Sequence, residues 1–284
     1  MTEDQGMTAL NDFISAHEPL LRLGCFVGML TAMAAAEALW PRRRDTGRAQ
    51  RWPRNAALVV VDTLAVRAVA WALPAFLPVA AAVWAAAQGD QGQGWGLLPL
   101  LGLDGWAAFW ISLLLMDLAI YAQHVAVHHI PVLWRLHRVH HTDLAIDTTT
   151  GVRFHPLEIL LSIAIKVGLV LALGAPAAAV VVFEVVLNAT SLFNHANLRL
   201  PLGLDAALRR VLVTPDMHRV HHSVHRDETD SNFGFNLSVW DRLFGTYRAQ
   251  PRDGHDAMAI GVGGYRDATR LGLADLLVQP FRKS

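Results

Sequence analysis

The chain has 284 residues, a formal net charge of 0, 53% hydrophobic residues and 17% charged ones. Balanced charge leaves no electrostatic footprint for nucleic acid, and no such partner is expected. The single cysteine, Cys25, excludes an internal disulfide framework and any cysteine-rich metal site, so a metal here would have to be held by nitrogen or oxygen.

The apolar residues gather into runs long enough to span a bilayer. The first runs from about Pro19 to Trp40, behind a polar, acidic N-terminus that does not resemble a cleaved leader. The loop "PRRRDTGRAQRWPRN" follows, with arginines at 42, 43, 44, 48, 51 and 54 against one acid, Asp45. The positive-inside rule puts this loop in the cytoplasm. A second apolar stretch, about 56–87, is expected to bend or break at Pro74 and Pro78. "QGDQGQG" at 88–94 reads as an outer turn. A third span covers about 106–123. After a histidine-rich polar stretch, 124–155, two further apolar stretches, about 157–173 and 176–193, read as a helical hairpin turning at Gly174 and Pro176. The expected fold is all-α, a multi-span helical membrane protein of about four crossings with a cytosolic, histidine-rich helical cap. The tail "TRLGLADLLVQPF" is amphipathic and suits either the membrane surface or the cap.

Twelve of the fourteen histidines lie between 124 and 225, and the apolar pattern puts them on one side of the membrane. They form three combs: His124 and His128; His137, His140 and His141 in "HRVHH"; and His218, His221 and His222 in a second "HRVHH". Residues three and four apart share a helix face, so each comb aims two or three imidazoles one way. Thr214 and Pro215 supply a helix start for the last comb. Eight imidazoles exceed what one tetrahedral zinc takes, and imidazole suits iron, copper, nickel and zinc. Two metals with four or five imidazoles each would use them, and at a bilayer such a pair suggests dioxygen chemistry on an apolar substrate.

Polar stripes back the combs. Asp117 and Tyr121 share a face with His124 and His128; Glu184, Asn188 and Ser191 share one with His195. Carboxylates within a span are costly and mark function, and metal-bound imidazoles commonly donate to carboxylates. Asp117 and Glu184 are therefore expected as outer partners or minor ligands, with Asn188 and Tyr121 beside them, and His195 as a ninth ligand. His225 and His155 are candidate extra ligands, though His155, before Pro156, also suits a helix cap. His17 and His255 are isolated and read as ordinary polar residues. The bland alternative for the combs, a cluster of solvated surface histidines, is disfavoured by the recurring spacing and shared side. Trp134 and Trp240 suit interfacial anchors.

The motifs "HVAVH", "HRVHH", "NHANL" and again "HRVHH", with the run "HHSVHRDETDSNFGFNLSVWDRLFGTYR", resemble the fatty acid hydroxylase/sterol desaturase superfamily over about residues 105–250. The resemblance implies a non-haem di-iron centre held by His124, His128, His137, His140, His141, His195, His218, His221 and His222. It further implies O2-dependent hydroxylation or desaturation of a lipid such as a sterol or fatty acyl chain. Zinc could replace iron in a purified sample. Some members carry a histidine four residues after His195, where this chain has Arg199. No haem-binding or dinucleotide-binding signature is present, so electrons would come from an external cytochrome b5- or ferredoxin-like protein. The expected organisation is 1–104, N-terminal spans and basic cytoplasmic loop; 105–250, the catalytic domain; and 251–284, a cytosolic or interfacial tail. The expected setting is a bacterial cytoplasmic membrane with the metal site on its cytoplasmic side. The competing readings are a membrane zinc hydrolase and a metal carrier.

Overall fold

The computed structural model describes residues 3–44, 46–88 and 94–282. Asp45 and residues 89–93 of the expected outer turn lie outside them. Ten helices carry the argument: α1 (Glu3–Leu39), α2 (Arg48–Ala72), α3 (Pro78–Ala86), α4 (Leu97–Leu100), α5 (Gly105–His129), α6 (Pro131–His141), α7 (Pro156–Leu173), α8 (Ala177–Asn194), α9 (Leu202–Leu208) and α10 (Pro215–His221). Short helical turns complete the chain, and no strand forms among the described residues.

Five helices are long and apolar enough to cross a membrane: Ala9–Leu39 of α1, then α2, α5, α7 and α8. The protein is an integral membrane protein of helices. Five helices of spanning length compare with the expected count of about four crossings; both arms of the 157–193 hairpin, 18 residues each, are among them. Between the arms, Gly174 adopts φ +68°, and a Cβ there would collide with the Trp95 carbonyl. Proline breaks the second apolar stretch as expected: α2 stops at Ala72, Pro74 opens a 3-10 turn and Pro78 opens α3.

α8 is the central post, in contact with α1, α3 and α5. Ala81, Leu98, Met116, Ile120, Val170 and Phe183 form the main buried cluster between α3, α4, α5, α7 and α8. The short turn 148–152 also rests on α8. Gly151 comes so close that a Cβ would meet the Ser191 carbonyl oxygen at 2.5 Å, and Ser191 Oγ donates to the Gly151 carbonyl at 2.7 Å.

The arginine loop joins the histidine-rich segments directly. Pro41 bridges to Leu198, and the Arg42 N–H donates to the Asn197 carbonyl at 2.9 Å. The C-terminal tail packs on the cap: Leu271 and Leu276 are buried with Leu58 and Val139, and Arg138 donates to the Gln279 carbonyl at 2.9 Å.

Candidate metal centre

α5 runs on past the apolar stretch to His129, so its last turns carry His124 and His128 inward. Pro131, tolerated in a first turn that needs no N–H, opens α6, whose last turns carry His137, His140 and His141. The Thr214 side chain accepts from the Met217 N–H and starts α10, with Pro215 next, as the sequence suggests. His218 and His221 lie in α10 and His222 follows it; His195 follows α8.

These nine rings form two groups. His124, His128, His137, His141 and His221 make one; His140, His195, His218 and His222 make the other. Within each group one nitrogen from every ring lies within 4.8 Å of the others, and all nine residues are buried. The two pentapeptides are shared out in opposite senses. The first gives its i, i+4 pair, His137 and His141, to the five-ring group and His140 to the four-ring group. The second gives its i, i+4 pair, His218 and His222, to the four-ring group and His221 to the five-ring group. Each pentapeptide therefore spans both groups, while His124 and His128 both serve the five-ring group.

The outer nitrogens set the ring orientations. Nδ1 donates to the Phe233 carbonyl from His124 (2.7 Å), to the Arg153 carbonyl from His140 (3.2 Å), to the Ser191 carbonyl from His195 (2.8 Å) and to the Ser231 carbonyl from His221 (2.8 Å). From His137 it donates to Glu158 Oε1 (2.6 Å), and from His128 to Asp230 Oδ1 (3.3 Å). A donating Nδ1–H leaves Nε2 with its lone pair facing inward. Nε2 of His124, His128, His221 and His222 is buried with no hydrogen-bond partner. The remaining contacts bring like nitrogens together: His137 and His141 Nε2 at 3.2 Å, His140 and His195 at 3.1 Å, His195 and His218 at 3.0 Å. Converging lone pairs without donors suit two metal ions, since bonds of about 2.0–2.1 Å put opposite nitrogens about 4.2 Å apart.

Burial pushes His140, His141, His218 and His222 well below the ordinary imidazole value, and neighbouring imidazoles add to it. His195 and His221 fall to about 3, also mainly through burial. These rings are neutral at physiological pH, the form that ligates metal.

Other residues marked in the sequence lie apart from the two groups. His225 pairs with Asp253 at 2.7 Å on a partly exposed site. His155 caps α7, accepting from the Leu157 N–H, and its Nε2 meets the Leu277 carbonyl. Asp117 accepts from Trp240 Nε1 at 2.7 Å, which makes Trp240 a buried partner of that acid, and Tyr121 bonds Thr246. Glu184 takes Arg22 at 2.7 Å and Lys166 at 2.5 Å. Arg199, four residues after His195, is exposed and reaches Asp256. The carboxylates that do meet these nine histidines, Glu158 and Asp230, lie outside both polar stripes. The one sequence signal for Glu158 was its place in the first turn of a helix opening "HPLE", next to the second comb. Phe154 also escaped notice; it stacks on His140 at 4.6 Å with planes 3° apart.

A cavity of about 920 Å³ opens onto the five-ring group, where His124 and His137 form part of its wall. It continues past Ile159, Asn188 and Leu187 to Lys166, Glu184 and Arg22. Along α8 its wall runs from Glu184 to Ser191, so the cavity extends about 10 Å along that helix.

Residues 109–246 match the family described as fatty acid hydroxylase. An ornithine lipid hydroxylase of Rhizobium tropici is 31% identical over 173 residues, which are 61% of this chain and 50% of that protein. The alkylglycerol monooxygenase of Homo sapiens is 32% identical over 145 residues, 50% of this chain and 31% of that one. The cholesterol 25-hydroxylase of Rattus norvegicus is 29% identical over 142 residues, 50% and 47% of the two chains. The chain thus spans half or less of the length of these relatives. No solved structure matches it.

Proposed function

We propose that this chain, which belongs to the fatty acid hydroxylase superfamily, is a membrane di-iron oxygenase that hydroxylates an alkyl segment of a lipid. One observation carries the reading: a long, mainly apolar cavity within the membrane helices ends on His124 and His137 of a nine-histidine, two-group centre. The names of the relatives, all hydroxylases or monooxygenases, favour hydroxylation over desaturation.

Two iron ions held by the five-ring and four-ring groups would supply dioxygen activation and the redox equivalents for C–H oxidation. The chain's residues do the rest. The Nδ1–H donors to Glu158, Asp230 and the backbone carbonyls hold six rings in one tautomer. Phe154, flat against His140, restricts that ring's rotation. Burial of all nine histidines keeps bulk water from the centre. The cavity takes the alkyl chain and sets one carbon beside His124 and His137. Residues 105–250 are the catalytic unit, with 1–104 forming part of the cavity wall and 251–284 bracing the cap.

The balance is one lipid C–H, one O2, two electrons and two protons giving one alcohol and one water. The electrons come from a cytochrome b5- or ferredoxin-like donor. We assign the arginine loop and the histidine cap to the cytoplasmic side of a bacterial membrane, on the excess of arginine in the loop. The test is purification with native metal, combined with lipid profiling of the host with and without the gene under oxygen-18. Iron with isotope incorporated into a lipid alcohol is expected. Zinc with oxygen-independent turnover would overturn the proposal.

A further inference from the structure

Four carboxylates face the cavity. Two are neutralised by the protein: Glu18 and Glu184 bind Arg22, and Glu184 also binds Lys166. The other two are not. Asp62 is the single acid of α2 and is 8% exposed, yet its Oδ1 has no hydrogen-bond partner. Glu158, 4% exposed, gives Oε1 to His137, and its Oε2 likewise has none. Both carboxylates line the same cavity.

A buried carboxylate without a donor is costly. The protein supplies the missing partner at Glu184 with two cations, and at Asp62 with none. The partner must then come from whatever occupies the cavity. Ionised carboxylates only accept hydrogen bonds, so the group must donate. A buried carboxylate in a low-dielectric wall favours a cation over a neutral donor. An ammonium has three donors and can satisfy more than one acceptor.

We propose that Asp62, with Glu158, binds a cationic ammonium group of the lipid substrate, whose adjoining alkyl chain fills the cavity beside His124 and His137. This deepens the oxygenase reading and rests on it. Asp62 lies outside residues 109–246, the part shared with the family, so it sets this chain's substrate choice while the shared part holds the metal site.

The test measures binding of three probes with one alkyl chain, hexadecylammonium, hexadecanol and hexadecanoate, to the metal-loaded full-length protein in maltoside micelles. The wild type is expected to bind the ammonium about tenfold or more tighter than the alcohol, the worth of a charge-assisted contact, and the carboxylate weakest. Asp62→Asn is expected to lose the preference and Asp62→Glu to keep it, both with wild-type metal content. Equal binding of the three probes by the wild type, or an unchanged preference in Asp62→Asn, would overturn the assignment. Should Asp62→Asn not fold, the wild-type ranking and Asp62→Glu decide alone. Charge preference without any oxygen-dependent product sinks the oxygenase reading but supports the ammonium site. Oxygen-dependent product without charge preference does the reverse.

Discussion

Arg51 and Asp143 meet as a two-pronged fork, Nε to Oδ1 at 2.5 Å and Nη2 to Oδ2 at 2.6 Å. The same guanidinium reaches Asp147 Oδ2 at 2.6 Å and Thr150 Oγ1 at 2.9 Å, all of it buried. Burial alone would raise the Asp143 carboxyl, but Arg51 more than offsets it and holds the group at about 2. The fork ties α2 to the segment just after the first HRVHH comb. Removing one partner of a buried pair costs about 3–5 kcal/mol because the other charge is stranded. Arg51→Ala should therefore lower the unfolding temperature and metal content sharply. Arg51→Lys should restore little, since a lysine cannot fork. Thermal unfolding in detergent with metal analysis checks both.

The opposite sharing of the two pentapeptides makes a directional prediction. His221→Ala removes a ring from the five-ring group and His222→Ala one from the four-ring group, although the residues are adjacent. Each variant should weaken metal binding at its own centre and largely spare the other, so an iron-centred spectrum should change differently in the two. His225→Ala and His155→Ala should keep wild-type metal content. Loss of metal in His225→Ala would show that a further ring belongs to the centre.

Glu158 orients His137 through the 2.6 Å contact to Nδ1. Loss of such an outer partner typically costs roughly 10–100-fold in metal affinity. Glu158→Ala should show a loss of that size, read by competition with a chelator, with His137 itself unaltered. An affinity equal to wild type would mean that packing against Phe154 suffices to hold the ring.

Acid should act through the buried imidazoles. His195 and His221 drop to about 3 in the folded protein from an ordinary value of 6.5. Between those values the unfolded chain binds more protons, so folding stability is full above pH 6.5 and falls as pH drops toward 3. The slope is about 1.4 kcal/mol per pH unit for each such group. Bound metal competes with the same protons, so metal should leave over the same range. The unfolding temperature of the metal-free protein, measured from pH 8 to pH 5, should decline, most steeply below 6.5. A flat profile would contradict neutral burial of the rings.

Much of this was legible along the chain. The 3.6-residue period turns spacings of three and four into shared faces, so "HVAVH" and the two "HRVHH" segments marked the histidines. Long apolar runs marked the spans, and Thr214-Pro215 marked the start of α10. Partners were not legible where contacts join distant segments. Asp117 and Glu184 lay on the expected stripes, but Trp240, 123 residues from Asp117, and Arg22, 162 residues from Glu184, took their hydrogen bonds. The arginine loop read as a sidedness signal, while in the structure Arg51 is a buried clamp and Arg43 binds the carbonyls of Asp256 and Met258.

By itself the sequence determined which residues are apolar enough to span a bilayer and which imidazoles share a helix face, because both are local properties of consecutive side chains. Only the tertiary structure decided the division of nine rings into five and four, the choice of Glu158 and Asp230 as their supports, and the placing of Asp62 Oδ1 and Glu158 Oε2, both without hydrogen-bond partners, in residues that line the cavity. Those depend on how each helix is rotated and which remote segment it meets, and packing across the whole molecule sets both.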